Sequence, residues 1–140
     1  MNFPTKHPLN QTASGGQLIA NADVILGLEL TDFWGTVSAF RDALHRSSRS
    51  RIKPGTRLIS ITSVDLNSKS NFQDFQRYPE VDVAMAADAE ATLPALTEAC
   101  RKLVTDDRRR AFDERGKRMA EAHARGLAAG RTEATYAWDA

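Results

Sequence analysis

The sequence has one cysteine, Cys100, so it can form no internal disulfide framework and fits a reducing compartment. It has almost no excess of charge: 19 Lys and Arg stand against 18 Asp and Glu, a net +1. That balance lacks the basic signature of a nucleic-acid binder or of a protein drawn to anionic membranes, so neither partner is expected. No apolar run approaches the roughly 18–20 residues that span a bilayer. Lys6 and His7 are followed by no apolar core of a signal peptide. Catalytic signatures are missing too: there is no Walker loop, no G-x-S-x-G elbow and no H-E-x-x-H. His7, His45 and His123 lie far apart, and none has a Cys or His partner at metal-ligand spacing. The residues therefore nominate no catalytic, cofactor-binding or metal-binding side chain.

What is present is a set of three short apolar runs. The chain of 140 residues is long enough for one domain. The first run, Asp23 to Leu30, does not alternate, which suits a strand covered on both faces in a parallel sheet. The second is Arg57 to Thr62, introduced by the turn pair Pro54-Gly55. The third is Val81 to Ala86. A short helix over Gln17 to Ala22 precedes the first strand, and Gly15-Gly16 reads as a flexible lead into it. Together these predict an α/β fold.

The connections carry their own signals. Thr31-Asp32 can cap a helix start, and the loop Thr31 to Gly35 follows the first strand at the edge where α/β sheets gather ligands. Phe33 and Trp34 in that loop are expected to pack against the sheet edge or another domain. Val37, Phe40, Arg41 and Leu44 recur at helical spacing, which predicts a helix over 37–45. Arg46 to Lys53 is serine- and arginine-rich and reads as a solvated loop. Phe72, Phe75 and Tyr78 suggest a short helical turn ended by Pro79. Leu93, Leu96, Cys100, Leu103 and Val104 mark one face of a further helix, which makes Cys100 a buried small apolar residue. Asp88 is a plausible cap for that helix; Pro94 is awkward in a helix that begins at Ala89, and the alternative is an irregular first turn with Thr92 as the cap and Pro94 in the first helical turn. From Asp106 onward, mixed charges and a thin seam of Phe112, Met119 and Leu127 predict a solvent-exposed helix, weakened by Gly116, Gly126 and Gly130.

Four stretches in this order resemble the central domain of thiamine-diphosphate-dependent enzymes of the acetolactate synthase type. Asn2 to Leu9, with Phe3-Pro4-Thr5-Lys6-His7-Pro8, is similar to that family's F-P-x-x-H-P stretch. Ala22 to Leu28 is similar to its A-D strand, and Arg57 to Ile61 to its I-x-I-D strand. Val81 to Asp88, followed by Leu93 and Leu96, is similar to V-x-G-D-x-x-x-x-L-x-x-L. The likeness runs from about residue 2 to about residue 104.

The resemblance implies a Rossmann-like (DHS-type) parallel sheet flanked by helices, present only in its second half, with a C-terminal linker helix. Residues 1–105 would be the partial central domain, and 106–140 a linker helix and tail toward a diphosphate-binding domain. It implies a parent that decarboxylates or ligates 2-oxo acids as a cytoplasmic homo-oligomer. Thiamine diphosphate and Mg2+ would be held there by domains outside this chain, which has no Gly-Asp-Gly. The chain would then be a scaffold and interface fragment, partnered by the parent's remaining domains and without catalytic residues of its own.

Some members bind flavin in this domain, but two departures argue against carrying that site over. The family's L-G-A-R reads Leu28-Glu29-Leu30-Thr31 here, and Thr62 stands where an acidic residue usually ends the second strand. Asp65, three residues later, is a weak substitute, and Glu29 and Asp32 read as a solvated loop pair, with a domain interface as the alternative. The alternative is a free-standing small Rossmann-like module that binds a nucleotide or a protein through Gly15-Gly16 or the Thr31 to Gly35 loop. A third reading, RNA binding through Arg46 to Lys53 and Arg108 to Arg110, predicts steeply salt-dependent affinity.

Overall fold

A computed structural model describes residues 3–40, 47–63 and 79–138, with side chains as far as residue 129. In chain order the elements are α1 (Gly15–Asn21), β1 (Val24–Leu28), α2 (Phe33–Val37), β2 (Ser38–Phe40), β3 (Ser48–Ser50), β4 (Arg57–Thr62), β5 (Val83–Ala86), α3 (Ala89–Leu103) and α4 (Asp106–Trp138). The chain forms two compact units, Gly16–Cys100 and Met1–Gly15 with Arg101–Ala140.

The first unit is α/β. Its sheet has the order β1-β4-β5, with both pairings parallel. Ile25 pairs with Leu58 and Leu28 with Ile61, while Ile59 pairs with Val83 and Ile61 with Met85. The three apolar runs thus become the three parallel strands, flanked by helices in a Rossmann-like arrangement. The turn before β4 forms as its residues require. Gly55 takes φ +84°, and the Thr56 amide donates to the Lys53 carbonyl at 3.4 Å, with Pro54 at the position where its fixed φ suits a tight turn.

Successive strand residues face opposite sides. Ile25, Gly27 and Leu58 share the side on which the core forms, where Phe33, Val37 and Leu58 are buried and Ile25, Ile52 and Val81 pack against them. Helix α2 delivers Phe33 and Val37 to this core. Asp32 starts the helix by accepting the Gly35 amide at 2.7 Å. Gly27 makes room for it: a Cβ there would lie 3.0 Å from Leu30 Cδ1 and 3.2 Å from Phe33 Cε1.

The opposite side differs from the expectation of strands covered on both faces. Ile61, on the middle strand, is only 1% exposed, but Val24 is 56% exposed, and Leu26, Val83 and Met85 are exposed beside it. The continuous apolar run correctly marked a parallel strand. Among the described residues, its second face is nonetheless left open on both outer strands.

Five local expectations are corrected. The stretch Thr31 to Gly35, read as a loop, is helical from Phe33, because Asp32 caps α2 there. The helix over 37–45 does not form at its start, because Ser38–Phe40 pairs antiparallel with Ser48–Ser50 as a two-stranded ribbon. Ser38 is already extended (φ −134°, ψ 164°), and five helical residues suffice to bury Phe33 and Val37. Arg41 and Leu44 lie outside the described residues. The same pairing makes 48–50 a strand within the stretch read as a solvated loop, and Arg46 is outside the described residues. Helix α3 begins at Ala89 behind the Asp88 cap, and it is the alternative start at Thr92 that is corrected. Asp88 accepts the Ala91 amide at 2.8 Å, while the Thr92 hydroxyl donates to the Asp88 carbonyl at 2.7 Å. Pro94 is therefore inside the helix. Cys100 is exposed, because the apolar seam of α3 is only half-covered at Leu93 and Leu96 and opens fully toward Leu103, 72% exposed. The aromatic turn at Phe72, Phe75 and Tyr78 lies outside the described residues.

The second unit contains the N-terminal segment and α4. The Phe3-Pro4…His7-Pro8 stretch folds on itself: the Phe3 and His7 rings meet edge-on with centroids 4.9 Å apart. The His7 amide donates to the Pro4 carbonyl at 3.1 Å, and His7 Nδ1 accepts the Leu9 amide at 3.1 Å. Buried Asn10 ties the turn to the next, donating to the Pro4 carbonyl and accepting from the Thr12 amide and hydroxyl. Gln11 Nε2 then donates to the Met119 carbonyl of α4 at 2.8 Å. Asp106 and Asp107 occupy the first turn of α4, where the helix dipole favours them. Phe112 and Leu127 of its seam are exposed, and Met119 is half-buried.

Candidate functional site at the carboxyl edge of the sheet

In an open parallel sheet, ligands collect beyond the carboxyl ends of the strands. In this chain that edge is built around Glu29. The residue follows β1 directly, and its amide donates to the Ile61 carbonyl of β4 at 2.9 Å, so it continues the ladder one step past the strand. Glu29 then turns with φ +47°, the one left-handed non-glycine among the described residues. A side chain in that conformation is uncommon and points to surroundings that hold it.

Those surroundings converge on the Glu29 carboxylate. The Ser63 amide donates to both oxygens at 3.1 and 3.0 Å, and the Ser63 hydroxyl donates to Oε2 at 3.0 Å. The Thr62 hydroxyl donates to Oε2 at 3.2 Å. The Ala89 amide, the first residue of α3, donates to Oε1 at 3.1 Å. One carboxylate thus joins the ends of β1 and β4 to the start of α3. The Ser63 amide above all, with the Ala89 amide and the two hydroxyls, holds its pKa below the ordinary glutamate range against some desolvation.

This geometry bears on phosphate binding. A phosphoryl group at this edge would use backbone amides beyond a strand end and at a helix start. Here the Ser63 and Ala89 amides are occupied by Glu29. In space, Glu29 also brings an acid to the tip of β4, where the sequence itself has Thr62. Its oxygens are engaged by protein donors, so it is not arranged to accept ribose hydroxyls. Among the described residues, the two amides and the acid at this edge that could meet a phosphate or a ribose are engaged with one another. Sequence reasoning left Glu29 as half of a solvated pair. The usable signal was the hydroxyl pair Thr62-Ser63 closing the strand beside it.

The other candidates are engaged in local structure. Asp32 is engaged as the α2 cap. Phe33 is core, and Trp34 leans on Phe40 with centroids 5.0 Å apart. Gly15 and Gly16 have open space where a Cβ would stand, and both lie in the left half of φ without a turn that demands glycine. At the opposite end of the sheet, Asp82 accepts the Leu58 amide at 2.8 Å and pairs with Arg57, which keeps its pKa below the ordinary aspartate range. Lys53 pairs with Asp23 at 2.6 Å. Among the described residues, no three His, Cys, Asp or Glu side chains group as a metal site, and no helix is long and apolar enough to cross a membrane.

The class that fold and site define is a parallel α/β, Rossmann-like unit in which the Glu29 carboxylate joins the ends of β1 and β4 to the start of α3. No family model, curated protein or solved structure matches the chain.

Proposed function

We propose that this chain is a central scaffold and interface piece, the second half of a Rossmann-like domain, from a thiamine-diphosphate-requiring enzyme that decarboxylates or ligates 2-oxo acids. The observation that carries the scaffold reading is the sheet's second face. Val24, Leu26, Val83 and Met85 are exposed on its two outer strands, a surface of the kind that meets a neighbour. The family reading rests on sequence resemblance, whose strand-like stretches fall on β1, β4 and β5 in order. The closed edge at Glu29 supports a domain that holds no flavin or nucleotide. In this reading thiamine diphosphate and Mg2+ belong to other domains of a cytoplasmic homo-oligomer, and this chain supplies no catalytic residue.

Two measurements test the reading. Sequencing the DNA around the coding region is expected to reveal adjoining reading frame with a Gly-Asp-Gly…Asn motif. Calorimetric titration of the chain with thiamine diphosphate and Mg2+ is expected to show no binding. Saturable heat from the chain alone would overturn the division of labour. Flanking DNA without such a motif would remove the family reading.

A further inference from the structure

We draw no further inference here: the strongest candidate, the exposed apolar sheet face formed by Val24 and Leu26 of β1 with Val83 and Met85 of β5, already carries the proposed function, and nothing in the structure shows what covers it.

Discussion

At the residue scale, Glu29 is the side chain whose removal tells most. Its folded pKa is depressed, so its contribution to stability is present above the unfolded glutamate pKa and is lost as pH falls through the folded value. Glu29→Gln keeps the size and removes the charge that gathers the Ser63 and Ala89 amides. The urea midpoint of the variant is expected to fall below that of the parent at neutral pH, and the gap to close as pH drops below the ordinary glutamate range. A gap independent of pH would show that the carboxylate charge does not hold the edge. Asp82 is depressed in the same direction by the Leu58 amide and by Arg57, so the comparison uses Glu29→Gln against an otherwise intact chain. Beyond the Thr62-Ser63 hydroxyl pair, none of this was legible in the sequence, because the donors to Glu29 lie 33, 34 and 60 residues away. A second prediction concerns Gly27. A Cβ would meet Leu30 and Phe33 at 3.0–3.2 Å, so Gly27→Val crowds both side chains and strains the small core. Overpacking of this kind costs about 1–3 kcal/mol. The loss is read as a lower urea midpoint by circular dichroism.

At the scale of elements, legibility followed the range of the interactions. The three parallel strands were readable because each is a local apolar run, and the Asp32 and Asp88 caps because capping is contained within four residues. The ribbon of Ser38–Phe40 and Ser48–Ser50 was not readable. Its residues have weak preferences, and pairing across the connection decided against a helical pattern. Helix α3 shows the reverse conflict. Pro94 left a delayed start at Thr92 open as the alternative, yet the Asp88 cap and the Glu29 carboxylate on the Ala89 amide set the start five residues before Pro94. Pro94 then lacks the amide that would reach the Glu90 carbonyl. Proline in a helix interior is less favourable than alanine by about 3 kcal/mol. Pro94 is exposed, so replacement removes little packing. Pro94→Ala is therefore expected to raise the urea midpoint and the helical ellipticity together. An unchanged midpoint would mean that α3 contributes little to the cooperative unit.

At the scale of the whole molecule, the balance of burial decides what the chain can do alone. Among the described residues the buried apolar set is small: Phe33, Val37, Leu58, Ile61 and Ala89. Meanwhile Val24, Leu26, Val83 and Met85 stand exposed on one sheet face, and β1 and β5 are both outer strands. Open outer strands with apolar side chains recruit other chains unless something covers them. Burying one such side chain fully is favourable by roughly 1.5–3 kcal/mol, so even partial burial of four offsets much of the entropic cost of association. The chain is thus expected to self-associate across a concentration series in sedimentation velocity. Leu26→Lys with Met85→Lys places a charge on each outer strand of that face and leaves the Phe33 core untouched. The double variant is expected to keep the far-ultraviolet spectrum of the parent and to lose the association. Because association couples to stability, the urea midpoint of the parent should rise with protein concentration and that of the double variant should not. A parent chain that stays monomeric and unfolds in one transition, coincident by circular dichroism and tryptophan fluorescence, would instead be self-sufficient. The open sheet face would then be tolerated surface, and the scaffold reading would lose the observation that carries it.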